Sequence, residues 1–170
     1  TKPPGSLGRL EALAIQLSAI TGQLAPAVSP PGVAVFAADH GVAEEGVSAF
    51  PQEVTAQMVT NFAQGGAAIN VFARQIGAQV EVIDVGVASS LSLPGVVDAK
   101  VRAGTANMVQ EDAMSREEAL SAINVGADSV GRLAEKGAKS IIVGEMGIAN
   151  TTASSAMLAA FTQVPVATVV

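Results

Sequence analysis

The sequence predicts an α/β fold with a mostly parallel sheet between two layers of helices, and three observations predict it. Short, almost uninterrupted apolar runs such as "VAVFAA" (33 to 38) and "SIIVG" (140 to 144) read as strands covered on both sides. Between such runs lie longer segments whose apolar residues recur every three or four positions, the spacing of a helix with one buried face. The two kinds of segment alternate along the chain, as they must when helices cross over a parallel sheet.

Taken in order, Ser6 can cap a first helix whose apolar residues Leu7, Leu10, Leu13, Leu17 and Ile20 fall at spacings of three and four, with Gly22 as its stop. One face of this helix is expected to pack on the core. The stretch "APAVSPPG" (25 to 32) is a proline-rich connector, and the first strand follows at 33 to 38. A loop, "DHGVAEEGVSAF", leads to a helix that opens at Pro51, where a missing N–H costs nothing, and sets Val54, Met58, Val59 and Phe62 on one face. Gly65 and Gly66 interrupt it before a second helical run, "AAINVFARQI", that ends at Gly77. The second strand is "VEVIDVGV" (80 to 87). The long helix "SREEALSAINVGADSVGRLAEKG" (115 to 137) opens with a capping box, Ser115 to Glu118, and closes on Gly137. "SIIVG" is the third strand, "TTASSAMLAAF" the helix after it, and "VATVV" a last strand. The sum is a Rossmann-like three-layer α/β/α arrangement in two parts. Residues 1–32 supply the N-terminal helix and connector, and residues 33–170 the α/β core. The chain opens at Thr1 without a methionine and stops at Val170 inside "VPVATVV", so a piece of a longer protein is expected, its core incomplete at the C-terminal side.

Composition narrows the functions. At 170 residues with 49% hydrophobic content there is enough apolar material for one domain core. The aromatics are five Phe, with no Trp or Tyr, so stacking platforms for single-stranded nucleic acid are scarce. A net charge of −6 without a basic cluster argues further against nucleic acid. With no cysteine and one histidine, disulfides, thiolate sites and His-rich metal sites are excluded. No apolar run approaches the roughly 20 residues of a membrane span, and no basic stretch precedes an apolar leader segment. A cytoplasmic protein with no membrane partner is the expectation.

In an open parallel sheet, ligands lie beyond the carboxyl ends of the strands. Three stretches fall there: "ADHGVAEEGVSAFP", "DVGVASS" and "GEMGIANTT". In the last, Gly144 and Gly147 let the backbone bend close to a ligand, and Asn150 or Thr151 can cap a helix starting at Thr152 whose free N–H groups suit a phosphate or carboxylate. A plain strand-to-helix turn has the same chemistry, but it gains nothing from Glu145, an acid beside an anion site that suits a cationic ring or a ribose hydroxyl. Asp39 and His40 sit at the first strand's end, where an imidazole held by a carboxylate makes a tuned acid or base; the plainer alternative is that His40 ties down the loop. Glu44 and Glu45 read as a solvated loop face. Phe50, Val54 and Met58, four residues apart, can form an apolar slot for a flat heterocycle, although such a stripe is more often core. "GTANM" (104 to 108) reads as a plain connector.

Together, "TKPPGSLGRLE", "ADHGVAEEGVSAFPQEVTAQM", "GGAAINVFARQIGA", "VIDVGV", "GTANM" and "GEMGIANTT" resemble the nicotinate-nucleotide:dimethylbenzimidazole phosphoribosyltransferases, the CobT family of cobalamin biosynthesis, over essentially the whole chain and in the family's order. The resemblance implies a Rossmann-like homodimer, with neither a metal nor an organic cofactor, that transfers phosphoribose from nicotinate mononucleotide to 5,6-dimethylbenzimidazole, giving α-ribazole 5′-phosphate and nicotinate. It implies that Glu145 matches an active-site glutamate with an electrostatic role. Gly147, Ile148, Ala149, Asn150, Thr151 and Thr152 would cradle the nucleotide. Phe50, Pro51, Val54 and Met58 would line the benzimidazole slot with Gln57 beside it, and Asp39 and His40 would support the site. The family's general base, a glutamate in a glycine-rich motif near the C-terminus, and a lysine past the last strand have no match here. Ala149 stands where glycine is common, and Asp112 where proline is usual. A non-catalytic domain that binds nucleotide or benzimidazole without turnover is the alternative these departures leave open.

Overall fold

The computed structural model describes residues 2–170. Its sheet has four strands, β1 (Pro31–Ala38), β2 (Gln79–Gly86), β3 (Val96–Asp98) and β4 (Ser140–Met146), in the order β3-β2-β1-β4 with every pair parallel. The helices are α1 (Arg9–Thr21), α2 (Glu53–Ala63), α3 (Ala68–Gln75), α4 (Arg116–Glu135) and α5 (Asn150–Thr162), with 3-10 turns at Gly41–Glu45 and Val166–Thr168. The α/β class and parallel sheet expected from the apolar runs are what the chain forms.

Because side chains alternate along a strand, β1 feeds two cores. Val33, Val35 and Ala37 pack with Val82 of β2 against Val59 and Phe62 of α2 and Ala73 of α3. Ala34 and Phe36 face the other way with Ile83 and Val85, where Leu133 and Val125 of α4 cover them. The α4 layer is also held by charge. Glu81, 5% exposed, accepts from Arg132 Nε and Nη2 and from Lys136 Nζ, and Arg132 Nη2 also donates to Ser129 Oγ. Burial raises the Glu81 carboxyl, but the hydrogen bonds and charges of Arg132 and Lys136 outweigh it and hold Glu81 below its ordinary 4.5.

Strand order places the site. From β1 the chain moves to β2 and β3 on one side, then to β4 on the other, so the order reverses at β1 and leaves a crevice beyond the carboxyl ends of β1 and β4. Asp39 and His40 leave β1 there, and the segment after Met146 leaves β4.

Several expectations need correction. Ser6 caps nothing, because residues 4–8 form turns and α1 begins at Arg9 with Gly8 before it. No α1 residue is buried, and Leu10 and Ile20 are exposed, so its apolar spacing finds no core among the described residues. The expected strand "VATVV" is a 3-10 turn that pairs with no strand among the described residues, since Pro165 precedes it and Thr168 N–H bonds back to Pro165. The first strand starts at Pro31, inside the supposed connector. On α2 the buried residues are Thr55, Val59 and Phe62, with Val54 and Met58 half-buried at the edge of that face. β3 is a three-residue edge strand that the alternation did not reveal.

Candidate active site

The crevice is built by close approach of four loops. Asp39 donates its N–H to the Gly86 carbonyl, accepts from Thr105 N–H on its own carbonyl, and takes Ala88 N–H on Oδ2 at 2.7 Å. Gly41 N–H donates to Thr105 Oγ1 at 3.1 Å. A Cβ on Gly41 would lie 2.5 Å from the Ala106 carbonyl carbon, so only glycine permits this crossing. Asn107, buried, donates to Glu45 Oε1 at 2.7 Å. The stretch "GTANM", expected to be a plain connector, is thus the clamp on the loop after β1, and Glu45, expected on a solvated face, is its tie.

The turn after β4 is locked from the other side. Gly147 and Ile148 are buried, and Ile148 N–H donates at 3.1 Å to the hydroxyl of Thr55, a fully buried α2 residue. Ala149 has φ of 70°, the left-handed region, and stands as the residue before α5. Asn150 is therefore the first helical residue and does not cap a helix starting at Thr152 as expected. Its side chain bridges two neighbours: Nδ2 donates to Glu145 Oε1, and Oδ1 accepts Thr151 N–H at 2.8 Å. Thr151 and Thr152 follow in the first turn of α5, Thr151 exposed and Thr152 half-buried.

Glu145 faces Phe36 across the β1–β4 pairing, which puts its side chain on the α4 side of the sheet. There a slot of about 370 Å³ opens between α4 and α5. Phe36, Ala38 and Val85 form its floor, Ala122, Ile123 and Gly126 one wall, and Ala153 and Met157 the other, with Glu145, Asn150 and His40 at the polar end. His40 also lines a second cavity of about 280 Å³, with Thr105, Met108 and Met114, and a third of about 180 Å³ that includes Asp39 and Arg102. His40 does not tie down the loop by hydrogen bonding. No side-chain hydrogen bond joins it to Asp39 or to the loop among the described residues, and its ring packs instead against Gly147. Burial holds the imidazole below its ordinary 6.5, against the opposing pull of Glu145 and then Asp39. Asp39 is 2% exposed, and its Oδ1 has no hydrogen-bond partner among the described residues.

The residues expected to hold the flat base lie apart from this slot. Phe50 is 66% exposed and precedes α2, which starts only at Glu53, so it does not share a helix face with Val54 and Met58. Pro51 and Gln57 are exposed, while Met58 leans on the α2 core cluster. None of the five lines the cavities that hold Glu145 and His40. Thr55 is the link between the two groups, and sequence reading passes over it. It also passes over Phe36, Val85, Ile123 and Met157, whose apolar spacing looks like ordinary core.

Comparison with known proteins identifies the family. The family model described as Phosphoribosyltransferase covers residues 1–170. A protein of Halalkalibacterium halodurans named nicotinate-nucleotide–dimethylbenzimidazole phosphoribosyltransferase is 56% identical over 170 residues, all of this chain and 48% of its own length. One of the same name from Chloroflexus aggregans is 57% identical over 99% of this chain and 48% of its own length. The crystal structure of CobT from Thermus thermophilus superposes with a TM-score of 0.94 at 50% identity, over 97% of this chain and 50% of that one. The chain thus spans about half the length of the curated relatives it matches. With the fold and the full span of the chain in agreement, the chain belongs to the CobT family of nicotinate-nucleotide–dimethylbenzimidazole phosphoribosyltransferases.

Proposed function

We propose that this chain supplies the nucleotide-binding half of a phosphoribosyl transfer from nicotinate mononucleotide to 5,6-dimethylbenzimidazole, yielding α-ribazole 5′-phosphate and nicotinate for a cobalamin lower ligand. The observation that carries the reading is the strand-to-helix segment Glu145–Thr152. It sets a carboxylate beside the N-terminus of a thirteen-residue helix, at the point where strand order reverses. Such an end attracts phosphate through its amides and dipole, while the acid favours positive charge a few ångströms away. A nucleotide with an anionic phosphate and a cationic pyridinium needs both.

The chemistry asks little else of this half. The bond from C1′ to the pyridinium nitrogen breaks and its electron pair stays with the ring, which leaves as nicotinate, its ring nitrogen now neutral, without a proton donor. A ring nitrogen of the acceptor bonds C1′, and the acceptor's N–H proton goes to a base, for which this chain offers no assigned residue. Glu145 stabilises the oxocarbenium-like charge in between. Gly147, Ile148, Ala149, Asn150, Thr151 and Thr152 cradle the nucleotide, Asp39 and His40 support the crevice, and Phe50, Pro51, Val54, Gln57 and Met58 border the acceptor base. The homodimer and the cytoplasmic location belong to this reading; no described helix is long and apolar enough to cross a membrane.

The test mixes the protein with nicotinate mononucleotide and dimethylbenzimidazole and follows nicotinate and α-ribazole phosphate by chromatography, in parallel with calorimetry of the nucleotide alone. Nucleotide binding that weakens in Glu145→Ala supports the reading. Absence of nucleotide binding at millimolar concentration overturns it.

A further inference from the structure

We propose that Lys100 is a positioning residue of the crevice: its ammonium fixes the orientation of the Val87–Ala88 peptide, and through that peptide it sets the carboxyl group of Asp39. As a statement about nucleotide binding, this deepens the phosphoribosyl-transfer reading and rests on it.

One peptide group carries the argument. Its oxygen, the Val87 carbonyl, accepts from Lys100 Nζ at 2.6 Å, and its N–H, that of Ala88, donates to Asp39 Oδ2 at 2.7 Å. A trans peptide is planar, with C=O and N–H pointing opposite ways, so whatever fixes one end fixes the other. Turned over, the same peptide would set its carbonyl against the Asp39 carboxyl group and its N–H against the ammonium. The bond from Ala88 is the one hydrogen bond of the Asp39 side chain among the described residues. Oδ1 is buried without a partner there, beside the cavity of about 180 Å³ that Asp39 lines with His40 and Thr105.

Little else holds this loop. From Val87 to Ser92 no backbone group bonds to another backbone group among the described residues. The ties are Val87 N–H to Asp84 Oδ1 at 2.8 Å, Ala88 N–H to Asp39, and Lys100 Nζ to the carbonyls of Val87 and, at 2.7 Å, Ser89. Lys100 Nζ also faces Asp84 Oδ2 at 3.3 Å, and Asp84 is 2% exposed. Two carbonyls and a carboxylate thus converge on one ammonium, whose donors match them in number. Lys100 stands between two anchored neighbours, so its stem starts from a fixed point: Ala99 N–H bonds the Asp84 carbonyl at 3.0 Å and Val101 N–H the Val85 carbonyl at 2.9 Å. With a cation at its oxygen and a carboxylate at its N–H, the peptide makes stronger bonds at both ends than a neutral pairing gives.

The experiment removes the ammonium and then returns it. Lys100→Met keeps an apolar stem without donors. Lys100→Ala leaves room for n-propylammonium, which replaces the lost carbons and the nitrogen, and tetramethylammonium, a cation without N–H, is the control. Amide exchange at Ala88 is compared with that at Ile83 in the core of β2, and nicotinate mononucleotide affinity is read by calorimetry. Lys100→Met is expected to speed Ala88 exchange about tenfold more than Ile83 exchange and to weaken nucleotide binding by about tenfold. Lys100→Ala is expected to do the same, with both readings restored by n-propylammonium and by tetramethylammonium neither. Ala88 and Ile83 rising together, an Ala88 amide that stays protected, or equal rescue by the two cations overturns the inference. The nucleotide separates this claim from the transfer reading. If it binds the parent and Lys100→Met equally well, the transfer reading stands and Lys100 has no part in it. If it does not bind the parent, the transfer reading falls, and Ala88 exchange with its rescue decides whether Lys100 sets Asp39.

Discussion

The imidazole of His40 lies against the Cα of Gly147: a Cβ built there would stand 2.9 Å from Nε2 and 2.2 Å from the Ala38 carbonyl oxygen. The second neighbour is backbone of a central strand and cannot yield. Gly147→Ala is therefore expected to cost more than about 2 kcal/mol in urea unfolding and to shift the His40 ring signal. Stability within about 0.5 kcal/mol of the parent would show that the turn and strand are not in this contact.

Ala149 presents the opposite case, a side chain where glycine is favoured. Its φ of 70° costs an L-residue about 1–2 kcal/mol, partly offset by the buried methyl group. Ala149→Gly should leave stability within about 1 kcal/mol of the parent, while Ala149→Val, β-branched, should lose at least about 2 kcal/mol. Thermal unfolding of the pair checks this, and a stable valine variant would contradict the left-handed geometry.

Thr55 joins the turn to α2 through one hydrogen bond to Ile148 N–H. Thr55→Val keeps the shape and leaves that buried amide unsatisfied, an expected loss of about 1–3 kcal/mol, whereas Thr55→Ser keeps the acceptor and loses only a methyl group. Hydrogen exchange at Ile148 should rise in the valine variant alone. Equal exchange in both variants would remove the bond from the account.

Glu81 links β2 to α4, with Arg132 and Lys136 both partly open to solvent. Glu81→Ala is expected to cost about 1–3 kcal/mol at pH 7, less than a fully buried pair because the cations can rehydrate. The folded carboxyl lies below its ordinary 4.5, so its contribution is fully present above that value and is lost as pH falls through the folded value. Denaturant titrations from pH 7 to about pH 3 should show a shallower acid loss in Glu81→Gln than in the parent. Identical slopes would mean that Glu81 is not paired in the folded state.

Much of this fold was legible because burial on both faces leaves a strong trace. "VAVFAA" has to be a covered strand, and Ser115 with Glu118 marks the start of α4 with a reciprocal cap that the structure contains. What misled was apolar spacing without knowledge of what covers it. Among the described residues, α1 has a helical stripe that meets no core, and "VATVV" has strand composition but no strand partner. In the candidate site, Glu145 drew notice from sequence as an acid beside a glycine-flanked helix start, and the structure places it at the end of β4 with Asn150 as its partner. Thr55 and Phe36 gave no such sign, because their roles come from β1–β4 register and from packing across 93 residues of sequence. Gly41 showed only as a glycine after Asp39 and His40, and its contact with Thr105, Ala106 and Asn107 depends on loops that sequence spacing does not bring together.

The most direct test of the central claim records amide spectra of the ¹⁵N-labelled protein as nicotinate mononucleotide is added. The account predicts saturable, concerted shifts at Gly147 through Thr152, with the His40 ring signal moving in step and all of them weakened in Glu145→Gln. Shifts confined to other segments, or none at millimolar nucleotide, would contradict the assignment of this crevice to a phosphoribosyl donor.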